Sequence, residues 1–307
     1  MRNRAIVIAG PTASGKSQLA LALAQRLGGS IINADSMQVY QELALLTARP
    51  SPRELASVPH ALYGCVSGQE AYSAGRYARD AAAAVATARA SGRRPVIVGG
   101  TGLYLRALLQ GLSPVPAADP TVRAYWRQQA AERGAEALYA RLGARDPAMA
   151  ARLKPSDPQR IVRALEVLDS TGRSLADWQR QPGQPVLEPS ETIPLLLLPP
   201  RDSHAAAIAT RFQRMLGEGA LEEVRRLLAL RLSPELPIMR ALGVAPLSAV
   251  LAGRQSLAAG IAATECATRQ YAKRQMTWFR RNMISWKTFE TKEMESLSAD
   301  ILAFIEP

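Results

Sequence analysis

Short runs of apolar residues alternate with longer stretches rich in alanine and leucine in the first third of the chain. The apolar runs are residues 5–9 (AIVIA), 30–34 (SIINA) and 94–98 (RPVIV). Their near-continuous hydrophobicity predicts strands that are buried on both faces of a parallel sheet. Residues 18–27 and 72–90, which lie between these runs, predict helices. The pattern therefore predicts an α/β fold with a parallel sheet.

Two proline-rich segments, residues 111–120 and 181–190, interrupt this pattern. The stretch between them has apolar positions at helical spacing and predicts helices alone. Residues 192–198 (TIPLLLL) then return as an apolar strand. This order predicts that a helical subdomain is inserted into a core domain, which resumes after it. The predicted segments are a core at residues 1–115, a helical insertion at residues 116–190 and a second part of the core, with basic carboxyl-terminal helices, at residues 191–307.

Three further stretches complete the predicted order of elements. Residues 50–59 contain three prolines and predict an irregular segment. Residues 205–230 predict a long helix that is interrupted near Gly217 and Gly219, because glycine disfavours the helix interior. Residues 254–287 predict another long helix near the end of the chain.

A glycine-rich motif follows the first predicted strand and leads into the first predicted helix. Residues 10–17 (GPTASGKS) match the pattern G-x-x-x-x-G-K-S. In such a loop, backbone N–H groups surround phosphate oxygens, Lys16 supplies a cation and Ser17 supplies a hydroxyl ligand for Mg²⁺. An accidental match in a turn is the alternative, and the strand before and helix after the motif disfavour it. The motif predicts a phosphate-bearing ligand, which need not be a nucleoside triphosphate.

Polar residues also follow the second and third predicted strands. Asp35 comes directly after the second strand, and Thr101 lies in the turn GGTG after the third. Residues at the carboxyl ends of parallel strands face the ligand crevice of an open α/β sheet. Either residue is alternatively a helix or turn cap, and Thr101 can have both roles. We expect both side chains near whatever the phosphate loop holds.

Composition indicates a soluble protein with a substantial core. The chain has 307 residues, of which 48% are hydrophobic and 21% charged. No apolar run approaches the ~20 residues that span a bilayer, so we expect a cytoplasmic protein without membrane contact. Cys65 and Cys266 lie far apart and outside any metal-binding pattern, so we expect both to be buried structural residues.

The formal net charge of +12 predicts a polyanionic partner, because a small-metabolite kinase has no physical need for this excess. An arginine-rich composition without such a partner is the alternative. Residues 254–287 hold seven basic residues and one acidic residue, Glu265. Within them, Arg269, Lys273 and Arg280 share one helical face that is suited to a phosphate backbone. A solvated basic face is the competing interpretation.

Several motifs together resemble one enzyme family. They are GPTASGKS, DSMQVY, PVIVGGTGLYLRALLQGL, DPQRIVRALEV with its following TGR, and TRQYAKRQMTWFR. In this order they cover nearly the whole chain, and the sequence is similar to the tRNA dimethylallyltransferases. The resemblance implies a P-loop NTPase-like parallel sheet core with an inserted all-helical subdomain. It also implies transfer of a dimethylallyl group from dimethylallyl diphosphate to the N6 amine of the adenosine 3′ to the anticodon in tRNA, with Mg²⁺ as cofactor.

The resemblance assigns roles to individual residues. The diphosphate-binding residues it implies are Gly10, Pro11, Thr12, Ala13, Ser14, Gly15, Lys16 and Ser17. The tRNA-binding residues it implies are Asp35, Ser36, Met37, Gln38, Thr101, Arg123, Gln159, Arg160, Ile161, Val162, Arg163 and Arg240. The catalytic set is Lys16, Asp35, Thr101 and Arg211, where Arg211 is expected to reach the diphosphate and Asp35 to accept the proton of the adenine amine. The chain departs from the family pattern at Ala61, Ala207, Val244 and Ala245.

Three other functions fit part of the sequence. A P-loop kinase would use the same loop, Lys16 and Asp35, but the basic insertion and basic last helix disfavour it. An adenylate isopentenyltransferase, which modifies a free nucleotide, would not need the insertion. An RNA-binding module with a vestigial phosphate loop is disfavoured because Lys16, Ser17 and Asp35 are all present. We expect the protein to act on the anticodon stem-loop of tRNA as a monomer.

Overall fold

The computed structural model describes residues 4–290 and 294–305. The strands are β1 (Ala5–Ala9), β2 (Gly29–Asn33), β3 (His60–Ala61), β4 (Arg94–Gly99), β5 (Thr192–Leu198) and β6 (Lys287–Glu290). The α-helices are α1 (Lys16–Leu27), α2 (Pro52–Ser57), α3 (Ala74–Ala90), α4 (Gly102–Leu109), α5 (Pro120–Arg145), α6 (Pro147–Ala150), α7 (Pro158–Thr171), α8 (Leu175–Trp178), α9 (Arg201–Gly217), α10 (Ala220–Ala229), α11 (Val244–Leu251), α12 (Leu257–Asn282) and α13 (Met294–Ile305). Two 3-10 helices span Pro189–Glu191 and Pro237–Arg240.

The strands form one sheet in the order β3-β2-β4-β1-β5-β6, and all the pairs are parallel. The predicted α/β fold with a parallel sheet is thereby confirmed. Strand β5 pairs with β1, so the chain returns to the same sheet after the helical insertion. The edge strands β3 and β6 were not predicted, because β3 has two residues and β6 is mostly exposed and therefore lacks an apolar run.

Both faces of the sheet are covered, which explains the continuous apolar runs. Along β1, Val7 packs into one hydrophobic cluster, while Ile6 and Ile8 pack into another. Successive side chains of a strand point to opposite faces, so a strand that is buried on both sides has no polar position. Among the described residues, no helix is long and apolar enough to cross a membrane.

Residues 52–57 form a helix, which corrects the expectation of an irregular segment. Pro52 occupies the first helical turn, where its missing N–H would have no partner in any case. The Ser51 hydroxyl accepts the Glu54 N–H at 3.3 Å, and the Glu54 carboxylate accepts the Ser51 N–H at 2.7 Å. This reciprocal cap stabilises a helix that the count of prolines alone argued against.

The chain divides into two compact units. The first comprises Met1–Leu109 and Val186–Pro307, and the second comprises Gln110–Pro185. The second unit is helical, and its core includes Trp126, whose indole N–H donates to the Asp169 carboxylate at 2.7 Å. The segments by which the chain enters and leaves this unit run close together. A Cβ atom on Gly111 would lie 2.5 Å from the backbone of Gln184, so glycine is required at this close approach.

Helix α10 organises the loop that follows β2. Gly219, with φ of 102°, separates α10 from α9, which confirms the predicted interruption. The buried Glu223 carboxylate accepts the backbone N–H groups of Ala44, Leu45 and Leu46 at 2.7, 2.8 and 2.9 Å. One side chain from the second half of the chain therefore fixes a loop in the first half.

We predict that Glu223→Ala lowers the free energy of unfolding by about 2–4 kcal/mol, because three partly buried N–H groups lose a charged acceptor. Thermal denaturation of the whole chain measures this. Glu222→Ala on the same helix is the matched control, since Glu222 is exposed and pairs with Arg225 in a surface ion pair. Equal melting temperatures for the two variants would contradict the role given to Glu223.

Candidate active site

The phosphate loop connects β1 to α1 and is shaped for an anion. Its backbone reverses at Ala13 and Gly15, with φ of 59° and 78°. Successive N–H groups in such a turn, placed before a helix amino terminus, form a concave site for phosphate oxygens. The Lys16 ammonium folds back over the loop and donates to the Pro11 carbonyl at 3.1 Å.

Two buried polar atoms at this loop have no hydrogen-bond partner among the described residues. They are the Ser14 hydroxyl and the Nε atom of Arg211. A buried polar atom without a partner is costly, so each is expected to bind a ligand or water. Both atoms belong to groups that can donate to phosphate oxygens. The loop backbone thus already has the form of an anion site, while two buried polar atoms beside it lack hydrogen-bond partners among the described residues.

The loop is also positively charged. Burial lowers the pKa of the Lys16 ammonium from 10.5 to about 8, an effect that Asp35 opposes and Arg211 reinforces. Burial also lowers the pKa of Arg211, which Asp35 again opposes and Arg214 reinforces. Asp35 therefore lies close enough to act on the pKa of both Lys16 and Arg211, and Arg211 lies close enough to act on that of Lys16. A bound anion would relieve the repulsion between the two cations.

Thr12 is held by three side chains from two distant helices. From α12, the Gln275 amide oxygen accepts the Thr12 N–H at 2.9 Å. From α9, His204 Nε2 lies 2.8 Å from the Thr12 carbonyl oxygen, so this nitrogen carries the proton, and Arg211 donates to the Thr12 hydroxyl at 2.7 Å. The Thr12 N–H is thus engaged within the protein. We therefore assign Thr12 to holding the loop, and direct donation to phosphate to the N–H groups that follow it.

A network of hydrogen bonds at the end of β2 fixes the position of Asp35. The Asn33 side chain accepts the Asp35 N–H at 2.8 Å and donates to the Asp35 carbonyl at 2.9 Å. The Asp35 carboxylate in turn accepts the Met37 N–H at 2.9 Å. This local bond is the capping role that the sequence left open. The same carboxylate acts on the charges of Lys16 and Arg211, so the local role and the crevice position hold together.

Thr101 contacts the Asp35 loop. Its hydroxyl accepts the Ser36 N–H at 3.0 Å and donates to the Ser36 hydroxyl at 3.2 Å. The approach needs glycine beforehand, because a Cβ atom on Gly99 would lie 2.1 Å from the Ala34 carbonyl oxygen. Tyr271 on α12 also interacts with Thr101, and burial together with nearby Asp35 raises the pKa of this phenol. The loops after β1, β2 and β4 therefore meet at one edge of the sheet.

Four polar residues at this edge were not assigned by the sequence. They are Asn33, His204, Tyr271 and Gln275. His204 precedes Arg211 by seven residues, a spacing that puts both on one helical face and was the available signal. Gln275 lies on the buried face of α12 with Ala272 and Phe279, where a polar residue among apolar ones was the signal.

The predicted tRNA-binding residues differ in exposure. In the second unit, Arg123, Gln159 and Arg160 are exposed, while Val162 and Arg163 are half-buried. Ile161 is fully buried in the core of that unit and can act there only by supporting its neighbours. In the first unit, Arg240 is exposed at the end of a 3-10 helix, and Gln38 is half-buried, donating to the Thr47 and Ala48 carbonyls at 2.8 and 2.9 Å.

The basic face that the sequence predicts on α12 is exposed to solvent. Arg269, Lys273 and Arg280 are all exposed, as the face requires. A cavity of about 530 Å³ is lined by residues of this helix that include Lys273 and Trp278. The Trp278 ring covers the loop so closely that a Cβ atom on Gly102 would lie 2.5 Å from it. Lys273 of the predicted face therefore shares this cavity with Trp278 beside the loop that carries Thr101, together with Arg274 and Arg281.

Other arginines gather at the opposite edge of the sheet, around a cavity of about 770 Å³. They are Arg4, Arg26, Arg89, Arg93 and Arg94. Arg26 and Arg89 lie in the last turns of α1 and α3, where the helix dipole favours a cation. Arg89 also pairs with Glu191 at 3.0 Å. Part of the net positive charge thus stabilises helix ends away from the phosphate loop.

Both cysteines are exposed, which corrects the expectation that they are buried. Cys65 lies in a loop after β3, and Cys266 lies on the outer face of α12. Among the described residues, no group of three or more His, Cys, Asp or Glu side chains is arranged to hold a metal ion. Ser17 is exposed in the first turn of α1 and remains the candidate protein ligand for Mg²⁺.

Comparison with known proteins places the chain among relatives of known type. A tRNA dimethylallyltransferase of Parvibaculum lavamentivorans is 52% identical over 99% of this chain and 96% of its own length. One of Rhizobium meliloti is 51% identical over 93% of this chain and 95% of its own.

Solved structures agree. A tRNA isopentenylpyrophosphate transferase of Bacillus halodurans has a TM-score of 0.71 and 30% identity, covering 99% of this chain and 95% of its own. A eukaryotic dimethylallyltransferase, in crystal structures acting on tRNA, has a TM-score of 0.80 and 27% identity over 95% of this chain and 74% of its own. The family model for IPP transferase matches residues 38–282. These findings confirm the resemblance in the motifs, and the chain belongs to the IPP transferase family.

Proposed function

We propose that this protein transfers the dimethylallyl group of dimethylallyl diphosphate to the exocyclic N6 amine of the adenosine 3′ to the anticodon in tRNA, releasing diphosphate. The observation that carries the proposal is the meeting of the phosphate loop with Asp35 and Thr101 at one sheet edge, in a member of the IPP transferase family. An anion site and a carboxylate are thereby placed side by side. These are the groups that the departure of diphosphate and the loss of an amine proton require.

Binding of the diphosphate is assigned to residues 13–17 of the loop and to Arg211, while Thr12 holds the loop in place. The Ser14 hydroxyl and Arg211 Nε are buried without partners among the described residues, and both can donate to phosphate oxygens. An allylic diphosphate ionises readily once the charge on its leaving group is stabilised. Lys16, Arg211 and the loop N–H groups are preorganised for this stabilisation, so most of the rate enhancement is electrostatic.

A magnesium ion fits this site as a partner of the substrate. Mg²⁺ retains several waters and binds through few protein oxygens together with substrate phosphates. The exposed Ser17 hydroxyl in the loop matches that requirement. When bound, the ion would neutralise charge on the diphosphate.

We assign to Asp35 the role of accepting the proton that the adenine amine loses. Its carboxylate is fixed by the bond from the Met37 N–H and lies near Lys16 and Arg211. Thr101, whose hydroxyl is fixed by Ser36, orients the amine or the leaving oxygen. The base must leave the stack of the anticodon loop to reach this edge, at a cost of about a few kcal/mol.

Contacts to the tRNA backbone offset this cost. We assign them to exposed arginines of the second unit, including Arg123 and Arg160, and to the face of Arg269, Lys273 and Arg280 on α12. A P-loop kinase and a nucleotide-modifying isopentenyltransferase do not need these surfaces. The decisive experiment incubates the protein with labelled dimethylallyl diphosphate and either total tRNA or free AMP. Label in tRNA supports the proposal, and label in AMP alone contradicts it.

We predict that Lys16→Ala and Ser17→Ala weaken diphosphate binding and turnover but leave tRNA binding unchanged. Loss of the Lys16 charge is expected to weaken diphosphate binding about 10- to 100-fold. The parent should also bind diphosphate more weakly as pH rises through about 8, because Lys16 then loses its proton. Ser17→Ala should retain this pH dependence, and Lys16→Ala should lose it.

Calorimetry with diphosphate and filter binding with tRNA measure the two affinities separately. A folded Lys16→Ala protein that no longer binds tRNA would refute the separation of the two sites. A pH dependence that survives in Lys16→Ala would show that another group titrates.

A second prediction concerns the helical unit. Changing both Arg160 and Arg163 to Ala should weaken tRNA binding and reduce its salt dependence by up to about two phosphate contacts, each near 0.9 in the logarithmic slope on a duplex. Arg160 should dominate, because its side chain is 75% exposed and has a surface ion pair with Asp157, whereas Arg163 is 36% exposed, donates to the Pro116 carbonyl at 3.3 Å and pairs with Glu166. Arg133→Ala, at an exposed site of the same unit, controls for lost charge. An unchanged slope would show that both arginines are simply solvated and do not contact the phosphates of the tRNA.

A third prediction separates the two roles of Asp35. Asp35→Asn keeps an oxygen for the Met37 N–H, so the turn, tRNA affinity and diphosphate affinity should persist. The chemical step should fall about 10²- to 10⁴-fold, because an amide does not accept the amine proton. Single-turnover transfer with the preformed tRNA complex measures this step alone.

Asp119→Asn is the control, since Asp119 caps α5 through the Thr121 and Val122 N–H groups. It should change neither rate nor binding. A transfer rate for Asp35→Asn within a few-fold of the parent would remove Asp35 from the catalytic set.

A further inference from the structure

Gln275 joins the two loops that flank the reaction site. It lies on α12 and is only 6% exposed. Its amide oxygen accepts the Thr12 N–H at 2.9 Å, and its amide nitrogen donates to the Gly100 carbonyl at 2.9 Å. Thr12 belongs to the phosphate loop, and Gly100 directly precedes Thr101. One side chain therefore spans the loops assigned to the leaving group and to the acceptor.

The chemistry of the bridge requires a primary amide. One loop presents a donor and the other an acceptor, and the amide supplies the complement of each. These two bonds also fix which end of the amide is oxygen. Glutamate in its ionised form would meet the Gly100 carbonyl with a second acceptor, and a purely apolar side chain would leave both backbone groups unpaired.

The fit around the amide is tight. A Cβ atom on Gly100 would lie 2.4 Å from the Gln275 amide nitrogen and 3.0 Å from the Gly10 carbonyl oxygen. Any side chain at position 100 would thus displace the amide or move the loop. The glycine before Thr101 is explained by this contact and not by its own backbone, because Gly100 is absent from the described glycines with positive φ.

We infer that Gln275 is a positioning residue of the transfer reaction, which sets the distance between the phosphate loop and Thr101. This inference rests on the proposed function. Gln275 touches neither substrate in this assignment and acts through Thr12 and Gly100. A displacement of about 1 Å between reacting groups can lower a rate by about 10²-fold. Loss of the bridge between the two loops should therefore lower the rate of transfer more than it lowers the affinity for either substrate.

The test is Gln275→Met, which preserves length and burial but removes both hydrogen bonds. We expect the single-turnover rate with both substrates saturating to fall about 10- to 100-fold. The dissociation constants for tRNA and for diphosphate should each stay within about threefold of the parent values. Hydrogen exchange of the peptide that contains Thr12 should become faster in the free protein, because the Thr12 N–H has lost its acceptor.

Thr268→Val is the matched control for loss of a buried polar group on the same helix. Thr268 is 7% exposed, and its hydroxyl donates within α12 to the Thr264 carbonyl at 2.8 Å. This variant should keep both the rate and the slow exchange at Thr12. If Thr268→Val matched Gln275→Met in rate and exchange, the bridge would only hold α12 in place, and the inference would be wrong.

Gly100→Ala approaches the same contact from the other side and serves if Gln275→Met does not fold. It should reproduce the loss of rate, and the double variant should be no slower than the worse single variant, because both disrupt one bridge. Additive losses would overturn the inference. So would a parental rate in Gln275→Met.

A pH series gives a readout that packing alone would not produce. In Gln275→Glu, a protonated carboxyl group offers one donor and one acceptor, as the amide does. Because burial disfavours the ionised carboxylate and raises its pKa above the usual value of about 4.3, the rate of this variant relative to the parent should rise as pH falls from about 8 to about 5. A flat ratio would contradict the bridge. Failure of the parent protein to transfer label to tRNA would instead refute the proposed function. The hydrogen exchange of the Thr12 peptide would still show whether Gln275 holds the phosphate loop.

Discussion

The geometry of the active site depends on the three side-chain hydrogen bonds that fix Thr12. Its N–H, carbonyl and hydroxyl are each engaged by a side chain, from Gln275, His204 and Arg211. These partners lie 192 to 263 residues away in the chain. A phosphate loop is often regarded as a self-contained motif of strand, turn and helix. Here its first turn is fixed from outside, so helices of the second half of the chain complete a site that begins at the first strand.

The electrostatic balance at this edge follows from burial. Burial lowers the pKa of both Lys16 and Arg211, Arg211 lowers that of Lys16 further, and Asp35 compensates only one charge. Burying unequal charge is costly, and an anionic ligand is the natural compensation. The unpartnered Ser14 hydroxyl and Arg211 Nε are part of the same imbalance. A bound anion would satisfy both the unpartnered polar atoms and the excess positive charge, which is why the proposed function assigns the diphosphate to this loop.

The net charge of +12 is distributed over surfaces with different physical roles. Exposed cations on α12 lie beside the Thr101 loop and suit a phosphate backbone. At the opposite edge of the sheet, Arg26 and Arg89 lie in the last turns of α1 and α3, and Arg89 pairs with Glu191. The whole-chain charge thus indicated a polyanionic partner but did not identify the surface. The exposure and the neighbours of each basic residue show which surface it belongs to, and the net charge of the whole chain does not.

The four central strands, the phosphate loop and the positions of Asp35 and Thr101 at strand ends could be predicted from the sequence, because each depends on a local apolar run or on a short motif. The edge strand β6, the exposure of Cys65 and the contacts of His204 and Gln275 could not, because they depend on parts of the chain that fold together from a distance. Strand β6 is polar and gains its partner only from β5, and Gln275 acquires its role from loops that are distant in the chain. Local patterns encode which face of an element is buried, but not which backbone groups another element brings to it.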